Sequence, residues 1–283
     1  MSLSFRPKLH PTPQLFDRFL YQNWLRQQSF SPLYQKLCQF VSYHVIERLG
    51  YLRSGFSTAF LLGMVGEGTL ANYLKTHKQT TLAIQTDLTK NTARSVDESL
   101  YVVYDDEHLP FADSSADLLI HFLGLHTVND VPGLLSQSLR ILKPDGFFLA
   151  VFIGNNSFHE LRTVLETVEM ETYGGISQRI FPWIRTREAG SLLQRAGFTF
   201  PVADCDKLTL IYPHLDQLLK DLKDTRTSFF LNNRRVLPLT KGFLAKAEKL
   251  YQNLFSTEGG EGLKVSLDLV YASGWRSAPR FTS

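Results

Sequence analysis

Cysteine is nearly absent from these 283 residues: Cys38 and Cys205 stand far apart, outside any Cys-x-x-Cys pair and without histidines at metal-ligand spacing. Neither a disulfide framework nor a zinc site is indicated, and a reducing cytoplasm is the expected compartment. A large excess of one charge is also lacking. The 30 Lys and Arg outnumber the 27 Asp and Glu by three, too few to hold a polyanion by counterion release, so nucleic acid is not an expected partner. No run approaches the roughly 18 apolar residues of a membrane-spanning helix, and the opening stretch MSLSFRPKLHPTPQLFDRF carries no apolar segment of signal-peptide length. A soluble, unexported chain without stable membrane insertion is expected. Repeats and low-complexity tracts are missing as well, and the glycine-rich passage at 258–262 reads as a turn.

What is present is an ordinary globular balance, 43% hydrophobic and 20% charged, in a chain long enough to bury one full core with additions. From Leu15 to Leu52 the residues Phe16, Phe19, Leu20 and then Leu37, Phe40, Val41, Val45 and Leu49 recur at helical steps, which predicts two N-terminal helices over 1–52. Short apolar runs then alternate with helical or turn segments at Ala59–Leu62, Leu82–Ile84, Tyr101–Tyr104, Leu118–Phe122 and Phe147–Ile153. Runs this short in βα alternation predict parallel strands of an α/β doubly wound sheet within 53–206. Gly197–Leu210 and Leu263–Tyr271 read as two further strands forming an antiparallel edge. Between them Leu218, Leu219, Leu222 and Phe243, Leu244, Ala247, Leu250, Tyr251 keep helical spacing, so 207–262 is expected to hold a helical insertion, or lid, over the mouth of the sheet, with the last strand and tail at 263–283.

On such a sheet a nucleoside cofactor sits at the carboxyl ends of the strands, where the first strand turns into its helix. That turn contains Gly63, Gly66 and Gly68, residues that permit positive φ and close ligand approach, although a tight structural turn explains them equally well. Asp87 ends the second strand nineteen residues after Gly68, close to the spacing at which a carboxylate meets ribose hydroxyls; it also suits a helix N-cap. The third strand leads into Asp105-Asp106-Glu107, where a carboxylate can accept from an adenine amino group or simply remain solvated.

Two passages carry a resemblance. Leu109-Pro110-Phe111-Ala112-Asp113 through Asp117-Leu118-Leu119-Ile120, and Leu142-Lys143-Pro144-Asp145-Gly146, resemble the approaches to the fourth and fifth strands of class I S-adenosylmethionine (SAM) dependent methyltransferases. The resemblance implies a seven-stranded Rossmann-like methyltransferase sheet with N-terminal helices and a helical insertion before the last strand. Leu125-His126-Thr127-Val128-Asn129-Asp130, Asn156-Ser157-Phe158-His159-Glu160-Leu161-Arg162 and Asn232-Asn233-Arg234-Arg235 narrow it to bacterial relatives of the mitochondrial complex I assembly factor with a methyltransferase fold. Similarity to the malonyl-carrier-protein O-methyltransferase of biotin synthesis is looser. The likeness runs from Leu15-Phe16-Asp17-Arg18 to Gly274-Trp275-Arg276.

By resemblance, SAM or its product S-adenosylhomocysteine lies against Gly63, Gly66, Gly68, Asp87, Leu88, Asp105, Asp106, Glu107 and Leu123, with methyl transfer to an unidentified acceptor. Methyl transfer is a displacement at a sulfonium that needs alignment more than a base, so no catalytic residue stands out. His126 and Asn129 are the candidates to touch the reacting group; His126 suits a core histidine equally. His159, Glu160 and Arg162 either face the same pocket or form a solvated helical turn. The sequence departs from the family's Asp-x-Gly-x-Gly-x-Gly, with Leu61 or Leu62 in the acidic position and one residue too many between Gly63 and Gly66. Losing that charged hydrogen bond costs about 1.5–3 kcal/mol, one or two decades of affinity. Thr127 follows His126 where the family has tryptophan.

The resemblance also implies a second activity, hydroxylation of an arginine in a respiratory complex I subunit, and a third, non-catalytic role as an assembly partner. A protein subunit and a carrier-bound small molecule are the two partners implied. Hydroxylation would want a metal. His214 and Asp216 are the one His-x-Asp pair that offers two ligands, and Asp216 serves as simply as a first-turn acid. Arg234 and Arg235 suit a planar anion or an exposed turn; Lys90 and Arg94 read as a solvated helix face; Trp275 reads as packing.

Overall fold

A computed structural model describes residues 14–27, 32–53, 55–63, 68–88, 100–180, 182–224, 238–257, 259–260 and 262–278. Two helices, α1 (Arg18–Gln27) and α2 (Pro32–Gly50), come first. The Asp17 carboxylate starts α1 by accepting from the Leu20 N–H at 2.9 Å, a side-chain N-cap. The βα alternation follows as β1 (Thr58–Leu62), α3 (Thr69–His77), β2 (Leu82–Asp87), β3 (Leu100–Val103), β4 (Ala116–Phe122), α4 (Val131–Ile141), β5 (Leu142–Gly154), α5 (His159–Tyr173) and α6 (Thr186–Ala196). The chain then forms β6 (Thr199–Tyr212), α7 (Leu215–Asp224), α8 (Lys241–Phe255) and β7 (Leu263–Trp275).

The seven strands make one sheet in the order β3-β2-β1-β4-β5-β7-β6. Period-two alternation divides its side chains between two faces. Phe147, Leu149, Val151 and Ile153 of β5 join Ala59 and Leu61 of β1 in a core roofed by α2, α3, α5, α7 and α8. Phe148, Ala150 and Phe152 join Phe60 and Leu62 on the opposite face, under α4 and α6. Strands buried on both faces read as continuous apolar runs, which is why the central strands were visible in the sequence.

As expected, β6 and β7 pair antiparallel at one edge of the sheet, and β7 is also antiparallel to β5 on its other side. The last strand slots inside the sheet, so β6 runs parallel with β1–β5 and is itself the edge. The described helices of the insertion, α7 and α8, pack on the α2/α5 face, with Leu218, Leu222, Phe243 and Tyr251 in its core, and residues 225–237, including Arg234 and Arg235, lie outside the described residues. Finally, the passage 142–146 is part of β5 rather than a turn before it. Pairing jumps from Ala116–Leu142 to Leu118–Phe147, and Asp145 adopts φ +61°, the local signature of a bulge.

Candidate cofactor site at the carboxyl end of the sheet

The carboxyl ends of β1, β2 and β4 meet at one end of the sheet, and the backbone there is specialised. Gly63 has φ +72°, and its N–H donates to the Thr86 carbonyl at 2.9 Å. A Cβ on residue 63 would stand 2.7 Å from the Phe122 carbonyl oxygen; the glycine is thus required by the close approach of two strand ends as well as by its dihedral. Across from it Leu123 leaves β4 with φ +47° while its N–H donates to the Val151 carbonyl at 2.8 Å. A branched residue in the left-handed region costs about 1–3 kcal/mol, and such strain gathers at ligand sites. Gly68 begins α3 with φ 66° and without a side-chain cap, so the amides of its first turn face this crevice with the positive end of the helix dipole.

Gly66 and the side chain of Asp87 lie outside the described residues; the backbone of Asp87 closes β2, paired with Val103. Leu61 and Leu62, the two alternatives for the missing acid, are both fully buried, in opposite core layers. Neither offers a polar group to a cofactor. Leu88 is buried against Tyr21 and Leu25 of α1, so this helix covers the end of β2.

The three acids after β3 are tied into a network. Arg18, at the start of α1, pairs with Asp105 at 2.6 Å and with Asp106, stands 3.8 Å from Glu107, and donates to the Thr127 carbonyl at 3.1 Å. Asp106 also faces His121 Nε2 at 3.4 Å, a histidine with 0% exposure. Burial alone would raise the Asp106 carboxyl, but the Arg18 guanidinium and His121 outweigh it and hold the group well below the usual carboxylate range. Burial would lower Arg18, and the three carboxylates around it lift it above its ordinary value instead. Glu107 is raised, by burial first, despite its hydrogen bond from the Asn129 N–H. Gln137 locks the same loop, accepting from the Leu109 N–H at 2.9 Å and donating to the Glu107 carbonyl at 2.8 Å. Asp105, with 32% side-chain exposure, is the most accessible of the three.

His126 sits buried in a short 3-10 turn, Leu125–Thr127, just past β4, with its ring edge-on to Trp183 at 5.6 Å. Asn129, grouped with it in the sequence, is spent elsewhere: its amide accepts from the Phe16 N–H at 2.7 Å and donates to the Phe16 carbonyl at 3.1 Å. It clasps the N-terminal segment to the β4 end. Glu160 turns away from the crevice to accept from the Ser266 N–H at 3.1 Å and hydroxyl at 2.5 Å on β7, and His159 is exposed, 3.3 Å from Glu160. His214 pairs with Glu248 at 3.3 Å, whereas Asp216 accepts from the Gln217 N–H at 2.8 Å. Among the described residues no three His, Cys, Asp or Glu are grouped to hold a metal ion.

Arg18, His121, Gln137 and Trp183 were not among the sequence candidates. Arg18 belongs to the Leu15-Phe16-Asp17-Arg18 stretch, but its separation from Asp105 by 87 positions gives no local signal. No described helix is long and apolar enough to cross a membrane.

Residues 62–150, from the end of β1 to the middle of β5, match the family model described as "Methyltransferase domain". The likeness extends far beyond that segment. Over 273 residues the chain is 32% identical to human mitochondrial arginine-hydroxylase NDUFAF5, covering 94% of this chain and 78% of the human protein. It is 28% identical over 183 residues to the malonyl-[acyl-carrier protein] O-methyltransferase of Gallionella capsiferriformans, covering 64% of this chain and 59% of that one. In structure it is similar to a methyltransferase-like protein of Bacillus halodurans, with a TM-score of 0.56, 17% identity, and coverage of 83% and 98% of the two chains. The chain therefore belongs to the family of mitochondrial arginine-hydroxylase NDUFAF5, and its core is a methyltransferase domain of the SAM-dependent class.

Proposed function

We propose that this chain binds SAM in the crevice between the ends of β1 and β4 and transfers its methyl group to an acceptor presented beside His126. One observation carries the reading: Gly63 and Leu123, on neighbouring strands, both adopt left-handed backbone at the point where the uncapped first turn of α3 also faces. Side chains are withdrawn there and amides are offered, which suits the amino-acid end of the cofactor even though the usual acid is replaced by buried leucine. We assign the ribose hydroxyls to Asp87, at the end of β2, on its sequence spacing, and the adenine amino group to Asp105, the most accessible of the three acids. Asp106 and Glu107 shape that loop from beneath through Arg18 and Asn129.

SAM supplies the activated methyl when bound; the protein's part is alignment and exclusion of water. Buried Leu123, His126 and Trp183 make a dry wall, with His126 nearest to an acceptor. Titration calorimetry with S-adenosylhomocysteine tests the assignment. Micromolar binding weakened by Asp87→Ala is expected; no heat at millimolar ligand would overturn it.

A second reading has a specific support, the human relative being an arginine-hydroxylase. The acceptor would then be a protein arginine, in a respiratory complex I subunit as the sequence resemblance implies, and the chain an assembly factor. A carrier-bound acyl group is the counterpart suggested by the Gallionella relative. Mass spectrometry of a candidate subunit incubated with the protein separates them. Addition of a methylene supports methyl transfer, addition of an oxygen supports hydroxylation, and capture of an unmodified subunit supports a non-catalytic partner.

A further inference from the structure

A cavity of about 350 Å³ lies on the α2/α7 side of the sheet, at the carboxyl ends of β5 and β6. Its walls are Leu37 and Phe40 of α2, Leu208 and Leu210 of β6, Leu267 of β7 and Leu222 of α7. Protein interiors hold few voids larger than a water molecule, and apolar cavities less than half this size stay dry and accept apolar guests. The volume falls within the range of small-molecule sites, roughly 300–1,000 Å³. Two polar groups in the lining answer each other, since the Tyr212 hydroxyl is hydrogen-bonded to Asp221. Among the described lining residues Lys36, one helical turn before Phe40, is the remaining charge; it is exposed and makes no ion pair with a described residue.

We propose that this cavity binds the hydrocarbon chain of an anionic amphiphile, with the chain among the leucines and the head group at Lys36. Among the described lining residues the Asp221 carboxylate is engaged by Tyr212 and Lys36 is the cation without an ion-pair partner, which favours an anionic head group over a neutral or cationic one: the chain gains by leaving water, and the anion gains at Lys36. The site is separate from the cofactor crevice but adjoins it. Phe158, which also lines the cavity, packs on Trp183 at 6.1 Å, and Trp183 on His126 at 5.6 Å. Two aromatic rings thus divide the cavity from the candidate acceptor position. The proposal does not depend on methyl transfer and requires no SAM.

The experiment is calorimetric titration of the full chain with dodecanoate, dodecanol and dodecyltrimethylammonium, each below its micellar concentration. Dodecanoate should bind saturably at one site per chain and more tightly than the other two. Lys36→Glu should weaken dodecanoate by about tenfold or more, the value of one charged hydrogen bond, and leave dodecanol within about twofold. Leu210→Trp, which fills the cavity from the half-buried edge strand, should abolish binding of both; unchanged circular dichroism and unchanged S-adenosylhomocysteine affinity keep that loss local. The proposal is overturned if no chain binds saturably, if a correctly folded Leu210→Trp variant binds like the native chain, or if Lys36→Glu leaves dodecanoate unaffected.

Discussion

Replacing Arg18 by methionine puts the network beneath the candidate cofactor loop to the test. Arg18 and Asp106 have side-chain exposures of 11% and 12%, so the pair is largely removed from water. Met keeps most of the aliphatic volume and removes the charge, leaving Asp106 buried with only His121 beside it. Removing one partner of a buried pair costs about 3–5 kcal/mol, because the charge left behind is uncompensated. Against a net stability of about 5–15 kcal/mol this is a large fraction, and it corresponds to a fall in melting temperature of roughly 6–20 °C. Urea denaturation followed by far-ultraviolet circular dichroism reads it directly. The double variant Arg18→Met/Asp106→Asn should recover at least about 1 kcal/mol, since the orphaned charge goes too. The loss should also depend on pH. In the native chain the Asp106 carboxyl is depressed, so its stabilisation is fully present above the unfolded value of about 3.9 and is lost as pH falls below that toward the folded value. The gap between native and Arg18→Met should therefore narrow on acidification. A single variant within about 1 kcal/mol of native at neutral pH, or a double variant less stable than the single, would show that the ion pairs do not hold the N-terminal segment to this loop.

Other outcomes follow from the same geometry. Gly63→Ala forces a Cβ against the Phe122 carbonyl and a residue into positive φ, and should cost about 1–3 kcal/mol in denaturation; a neutral effect would mean that the strand ends are not so closely apposed. Asn129→Ala strips both hydrogen bonds from the Phe16 backbone and should cost about 1–3 kcal/mol, with faster amide exchange at Phe16 as its local mark. Asp87→Ala, with its fold intact, should weaken S-adenosylhomocysteine by one to two decades in calorimetry, or about 1.5–3 kcal/mol; unchanged affinity would remove Asp87 from the ribose site.

The βα order was legible because strands buried on both faces are nearly continuous apolar runs, as Phe147–Ile153 is and as Leu118–Phe122 is but for His121, and because helical spacing repeats every three to four residues. The candidate cofactor crevice is read from local signals too: glycines at a strand end and an acid one βα unit later are short-range features. Partnership across the fold was not. Nothing in Asp105-Asp106-Glu107 announces that an arginine from the first helix will occupy it, and nothing in Asn129 distinguishes a group reaching for substrate from one that clasps Phe16.

By itself, then, the sequence determined the class of fold, the helices flanking its core and the family, since those depend on periodicity and on runs of adjacent residues. Tertiary structure decided which way the last strand enters the sheet, which face α7 and α8 cover, and which acids remain accessible for a ligand. Those outcomes depend on contacts between residues scores of positions apart, where burial and competing hydrogen bonds settle each side chain's partner only after the chain has closed on itself.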